Sequence, residues 1–277
     1  MHLHRQEKIT NNNRCCLYLR MRKPLLILTL VSISLYSLSQ EEGRMETDRP
    51  DQTESPYLTK KKYIQVEVGF NYEKNGDLHS LVHPTVLWKY GTCKRFEFRL
   101  ITELVSAETP LLIPAGNEIE TGLLPIKIGG KISLWEEKGL LPKTSFIFHI
   151  APSNIGSKKF YTSQWAPNCV FTMQHTLSEN IGLGYNLGLE FDGESGSPSW
   201  VYTIAPGFNI GKNWYSYIEM FGAVKKNEEP HHALDGGLAY FFSDNTKIDI
   251  SSGFSLSDDY WYSAIGFSFR FNTSKKK

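Results

Sequence analysis

Beyond position 40 the sequence has no uninterrupted apolar run approaching the roughly 20 residues that a membrane-crossing helix requires, so the body of the chain is not a helical membrane protein. Cysteine is scarce: of four, Cys15 and Cys16 lie near the N-terminus and only Cys93 and Cys169 fall later. Two isolated thiols do not specify a bridge, and they are not a disulfide framework or a metal-binding array. Charge of one sign is lacking too. The formal net charge is +1, which gives no whole-chain attraction for nucleic acid. No Gly-x-Ser-x-Gly elbow is present, and "GESGSPSW" at 193–200 is a polar turn. His175 and Ser178 lack an orienting acid, and the adjacent His231 and His232, near Glu228 and Glu229, lack the i, i+4 spacing of zinc motifs. No catalytic residue, metal site or cofactor is expected.

What the chain does contain is glycine (22 residues) and aromatics (13%), a composition suited to a β-rich domain. The N-terminus reads as an export signal. Met21 is followed by Arg22 and Lys23, an apolar run from Leu25 to Leu38, and a Ser37-Leu38-Ser39 cleavage site before Gln40. Residues 1–20 are polar and unpatterned, which suggests that translation begins at Met21.

From Tyr63 the pattern alternates strictly. In "YIQVEVGFNYE", Ile64, Val66, Val68, Phe70 and Tyr72 share one face, and Gln65, Glu67, Gly69, Asn71 and Glu73 share the other. A period of two is the signature of a strand with one apolar and one polar face. Asn75-Gly76 supplies a tight turn. The pattern recurs in about twelve candidate strands between 62 and 271, one of them continuous over 119–136.

Which face is inside decides the class. The polar faces carry glycine, serine, asparagine and charges of both signs. A soluble barrel of twelve strands would have a lumen too wide for apolar side chains to fill. An antiparallel transmembrane β-barrel with apolar residues outside and polar ones inside accommodates both faces. Aromatics near strand ends suggest girdles at the headgroup level: Trp88, Tyr90, Trp135, Trp165, Trp200, Tyr202, Trp214, Tyr215, Tyr260, Trp261 and Tyr262. The alternative is a sandwich with a core of aromatics.

In the barrel reading the lumen wall carries Glu67, Arg95, Glu97, Arg99, Glu103, Lys127, Lys131, Glu190, Glu219, Asp235, Asp249 and Arg270. Charges in a narrow lumen must pair or stay hydrated. Just before the first strand lies "ETDRPDQTESPY", 46–57, too charged for a core and too rich in turn residues for a helix. Its Thr47, Asp48, Arg49, Pro50, Asp51 and Glu54 suit an extended peptide that enters the barrel mouth. There Asp48 and Asp51 can meet Arg95 and Arg99, and Arg49 can meet Glu67 or Glu97. A solvated periplasmic tail has the same composition. Pro84, Pro125 and Pro206 fall inside candidate strands, where a lost ladder bond can make a lateral opening.

The segment "ETDRPDQTESPY", with its Thr-Asp-Arg-Pro-Asp core at 47–51, ahead of the strand "YIQVEVGFNYE" resembles the start of the MetA-pathway phenol-degradation family of outer-membrane proteins of Bacteroidota-type bacteria. The ending "GFSFRF" fits the same pattern, although the tail "NTSKKK" departs from a terminal Phe. The resemblance implies a channel-like barrel in the outer membrane of a Gram-negative bacterium, passing small hydrophobic or aromatic solutes. Its partners would be outer-membrane lipid and, during biogenesis, the barrel-assembly machinery, with no nucleic acid. A barrel without a continuous pore, structural in role, is the other reading. The expected organisation is an extension at 1–20, a signal peptide at 21–39, a plug-like segment at 40–61, the barrel at 62–271 and a polar tail at 272–277.

Overall fold

The computed structural model describes residues 43–111 and 116–274. The expected extension and signal peptide lie outside the described residues. The alternating segments form β1 (Tyr63–Asn75), β2 (Leu78–Cys93), β3 (Phe96–Leu111), β4 (Gly116–Leu123), β5 (Lys127–Trp135), β6 (Lys143–Ala151) and β7 (Ala166–Thr176). They continue as β8 (Ile181–Glu190), β9 (Ser199–Ile210), β10 (Trp214–Lys225), β11 (His231–Ser243), β12 (Thr246–Ser255) and β13 (Tyr260–Asn272). Each pairs antiparallel with its neighbour, and β1 closes the sheet on β13, from Tyr63 opposite Asn272 to Asn75 opposite Tyr260. Closure pairs the first strand with the last, so the backbone groups of the wall are satisfied within the sheet, as hydrocarbon demands, except along the outer side of β4, whose one strand partner among the described residues is β3. The β1–β2 turn has Gly76 at φ 58°, the left-handed conformation that glycine tolerates.

One expectation is corrected. The segment 119–136 is not one strand, because Leu124-Pro125-Ile126 interrupts it. β4 pairs with the upper half of β3 and β5 with the lower half, so the thirteen described segments make twelve staves. Proline has no N–H for the ladder, and the break falls where it sits.

The barrel is inverted relative to a soluble protein. Among its most buried large side chains are Arg99, Lys131, Lys247, Gln65, Glu67 and Glu97, whereas Phe70, Leu187, Ile218, Ile250 and Ile265 are exposed on the outer wall. All six tryptophans are exposed. Tyr215 and Tyr262 are not part of an outer girdle. Tyr262 is buried, and both phenols reach lumen groups: Tyr262 donates to Asp235 and Tyr215 to Asp51. Cys93 and Cys169 are free thiols on β2 and β7.

At the end where β1 begins and β13 ends, the turns are 94–95, 136–142, 177–180, 211–213 and 244–245. The opposite end carries the longer connections 152–165 and 191–198. Outer-membrane barrels keep short turns in the periplasm and long loops outside. The end where β1 begins is therefore periplasmic, and residues 43–62 enter the barrel from that side.

Candidate functional site

Residues 43–62 run through the lumen as an irregular hairpin. At the periplasmic rim the Met45 amide donates to the Asp244 carbonyl (2.9 Å), and the Met45 side chain packs on Ala239 and Phe241. The Arg44 guanidinium lies 4.0 Å over the Phe241 ring. The chain rises past β1, β12 and β13, turns at 50–54 against β10 and β9, and returns past β8, β7, β6 and β5 to the start of β1.

Asp48 is the centre of the rising limb. Its carboxylate accepts from Lys89 (2.8 Å) and Lys131 (3.1 Å) and lies 3.3 Å from Arg99, three cations from three different staves. Lys89 also pairs with Glu67, whose other oxygen accepts the Asp48 amide at 3.0 Å. Arg99 is shared with Glu54 (2.7 Å), and all three wall cations are at most 2% exposed. On the wall, Glu67 and Glu97 face three cations. Asp48 and Glu54, from the inserted segment, supply the missing negative charge. Buried ions of this kind persist only when paired.

Arg49 follows a second logic. Gly69 and Gly266 sit opposite each other on β1 and β13. A Cβ at Gly69 would fall 2.3 Å from Arg49 Nη1, and one at Gly266 would fall 2.4 Å from Arg49 Nε. The two glycines thus form a slot that admits the guanidinium, which bonds to Asp249 at 3.1 Å. At the tip, the Gln52 amide donates to Glu219 (2.7 Å), as does the Thr53 hydroxyl (2.5 Å), and Tyr217 donates to the Pro50 carbonyl (3.2 Å). On the returning limb, Glu54 exchanges two bonds with Asn186 (2.7 and 3.0 Å), Lys131 donates to the Ser55 carbonyl (2.7 Å), and Ser145 donates to the Pro56 carbonyl (2.6 Å). Gly91 then makes room for the exit: a Cβ there would meet the Lys60 and Thr59 carbonyl oxygens at 2.2 and 2.4 Å.

Of the charges read from the sequence, Glu67, Glu97, Arg99, Lys131, Glu219, Asp235 and Asp249 are buried in the lumen. Glu103 and Lys127 pair higher up at 3.3 Å, and Glu190 lines the same upper space. Arg95 and Arg270 belong elsewhere. Arg95 lies in the β2–β3 turn, and Arg270 is at the periplasmic rim, bonded to Asn245 and to the Gly43 carbonyl. Two expected pairings also change: Arg49 meets Asp249 instead of Glu67 or Glu97, and Asp51 meets Tyr215 instead of an arginine. Thr47 turns its hydroxyl onto the Arg49 carbonyl (2.7 Å). Sequence reasoning missed Lys89 and Lys247. The polar face of β2 is interrupted by Leu87, and Lys247 begins a strand beside turn residues, so neither stands out by period.

The two aspartates titrate in opposite senses. Burial pushes the Asp48 carboxyl up, but Lys131, Lys89 and Arg99 outweigh it and hold the group well below the usual carboxylate range. Burial pushes Asp51 up to about 7; Lys247 opposes this, and Asp235 and Asp48 add to it. Tyr215 and Glu219 of β10 also face Asp51. A carboxyl raised in the seated state stabilises that state below its ordinary range and loses the contribution as pH rises through about 7. Seating should therefore weaken between mildly acidic and mildly alkaline pH. Trypsin cleavage within 43–62 should accelerate over that interval, and Asp51→Asn should flatten the dependence.

The segment divides the lumen. Below it is a cavity of about 120 Å³ beside Met45, Tyr215 and Phe241; above it is one of about 420 Å³ bounded by Arg99, Lys127, His149 and Tyr262. Arg49, Asp51 and Glu54 border both.

Residues 47–271 match the family described as "Putative MetA-pathway of phenol degradation". The chain belongs to this family. The match opens at Thr47, so the inserted segment is part of the family pattern along with the barrel. Among solved structures, the fold resembles the COG4313 outer membrane channel from Pseudomonas putida F1, at 7% identity and TM-score 0.58, covering 85% of this chain and 100% of that one. It also resembles the KdgM porin, at 12% identity and TM-score 0.50, covering 74% and 99%. The complex of that porin with disordered oligogalacturonate matches at 11% identity and TM-score 0.51, again covering 74% and 99%. No curated protein sequence matches the chain. This member of the MetA-pathway family is thus an outer-membrane-type β-barrel with a charged segment seated in its lumen.

Proposed function

We propose that the protein admits small hydrophobic or aromatic solutes across the outer membrane and that residues 43–62 are its plug. The observation that carries this reading is the bridging of Lys89, Arg99 and Lys131 by Asp48, which seats the segment between two cavities of about 120 and 420 Å³. A purely structural barrel has no need of a charge-matched insert with open space on both sides. The outer membrane channel and the porin that share its fold support the same reading, as does the family's link to phenol degradation. The barrel-assembly machinery and outer-membrane lipid are the partners this class of barrel requires.

A second route has its own observation. β4 has a strand partner in β3, and its other side is covered by the loop 152–165. The Ser157 amide donates to the Leu123 carbonyl (2.8 Å), the Leu123 amide to Ser157 Oγ (2.9 Å) and the Ile126 amide to the Ile155 carbonyl (2.9 Å). Of Pro84, Pro125 and Pro206, it is Pro125 that lies at this break. Pro84 accompanies a register shift between Val82 and Thr85, and Pro206 stays opposite Leu183. A seam held by a loop opens more easily than one held by a strand, so apolar solutes leave sideways into the outer leaflet.

The test is uptake of a radiolabelled aromatic solute by proteoliposomes. The protein should raise uptake above that of protein-free vesicles. The pair Leu123→Cys with Ser157→Cys, oxidised, should cut uptake at least about fivefold and recover on reduction. Unchanged uptake after crosslinking would eliminate the seam. No uptake by the native barrel or by its plug-deleted form would eliminate transport.

A further inference from the structure

The upper chamber contains an acceptor that the plug does not use. His149 on β6 is 4% exposed, and its Nδ1 lies 3.2 Å from Asn168 Oδ1. An amide oxygen only accepts, so Nδ1 carries the proton and Nε2 presents a lone pair. Nε2 is buried and has no hydrogen-bond partner among the described residues, although both residues line the cavity. A buried acceptor left unpaired is costly, and a donor brought by a ligand would satisfy it.

The sheet register shows what lies around it. Arg99, Gly129, His149 and Asn168 stand in one row across β3, β5, β6 and β7. One inward step higher, Leu87 of β2 stands opposite Ile101 of β3, and both line the same cavity. Gly129 leaves the space into which the imidazole leans, since a Cβ there would fall 2.7 Å from His149 Cδ2. An apolar shelf and a hydrogen-bond acceptor are therefore adjacent in a space of about 420 Å³, within the size range of small-molecule sites. Seven acidic side chains and three basic ones line that space, and Arg99 and Lys127 are already paired with Glu54 and Glu103. Among the described residues, each of the three cations has a carboxylate at ion-pair distance, Arg49 on Asp249 included, so an added anion competes with those carboxylates.

Resting on the transport reading, we propose that this chamber is a recognition site for a neutral, hydroxyl-bearing small molecule with an apolar body. The hydroxyl donates to His149 Nε2, and the apolar face lies on Leu87 and Ile101. The site discriminates against the hydrocarbon, which leaves Nε2 unpaired, and against the carboxylate, which meets excess negative charge. This is a choice of solute made above the plug, before any passage.

The test is equilibrium binding by ligand-observed NMR with the full chain in detergent micelles, using phenol, toluene and benzoate. Empty micelles correct for partitioning. Phenol should bind to the protein, toluene about tenfold more weakly once corrected, and benzoate more weakly still, in line with the discrimination seen when a buried polar group loses its partner. His149→Phe should weaken phenol about tenfold and leave toluene unchanged, whereas His149→Gln, which keeps an acceptor, should restore most of the phenol affinity. Heat-modifiable gel mobility establishes that each variant is folded. Equal binding of phenol and toluene to the native protein, preference for benzoate, or phenol binding indifferent to both substitutions would each overturn the proposal. Because binding is read without transport, phenol selectivity in a barrel that never conducts would remove the transport reading alone.

Discussion

Deleting residues 43–57 is expected to turn a silent barrel into a conducting one. In a planar bilayer the native chain, with residues 43–62 seated, should show little steady current, because Arg49, Asp51 and Glu54 border both chambers and separate them. Without the segment the two chambers merge into a lumen lined by charged and hydroxylated side chains, which water fills readily. Hydration also resolves the cost of deletion. Lys89, Arg99 and Lys131 lose Asp48 and Glu54 but regain solvent, so the barrel should remain folded. Stable ohmic steps from the deleted form alone would establish the segment as a plug. Equal steps from both forms would mean that it leaves the conducting path open, and silence from both, with folding verified, would return the barrel to a structural role.

Asp48→Asn is expected to have the largest effect of any single substitution in the segment. Asparagine keeps the shape and removes the charge that three wall cations share. Removing one partner of a buried ion pair costs about 3–5 kcal/mol, because the remaining charge is left uncompensated. Here the barrel has an escape: the segment can leave and water can enter. The cost should therefore appear as unseating, with the wall left intact. Trypsin should cut the variant within 43–62 at least about tenfold faster than the native chain, while the β-barrel retains its resistance. Asp48→Glu should fall between the two. Since the Asp48 carboxyl is held well below its usual range, its contribution is lost only as pH falls well below about 4, so mild acid should not mimic the substitution. Native-like resistance in Asp48→Asn would show that the hydrogen bonds of the tip and returning limb suffice.

Particular residues show how far local pattern reaches. The alternation in "YIQVEVGFNYE" predicts both the strand and its inverted faces, because a strand turns successive side chains to opposite sides whatever surrounds it. Phe70 and Tyr72 are exposed and Gln65 and Glu67 are buried, as a lipid exterior and a closed lumen require. The charges of "TDRPD" mark it as a peptide in need of partners, but charge does not name them. Asp48 meets Lys131 across 83 residues, and Arg49 meets Asp249 across 200. Those pairings depend on the stagger of twelve staves and the path of the segment between them, which no local period encodes.

The same division accounts for the corrections. Tyr215 and Tyr262 look like girdle residues because aromatic rings crowd strand ends, and only the phase of each strand turns their phenols inward. Pro125 is visible as a ladder breaker, yet its consequence, a stave in two pieces with a loop covering the upper one, follows from how β3 divides its edge between β4 and β5. Period and turn chemistry come from interactions between near neighbours, so the chain by itself determines a barrel with a polar interior and a charged segment ahead of its first strand. Which charges neutralise which, where the inserted segment seats and which histidine is left with a lone pair arise from contacts across the barrel, and only the closed sheet brings those groups within a few ångströms of one another.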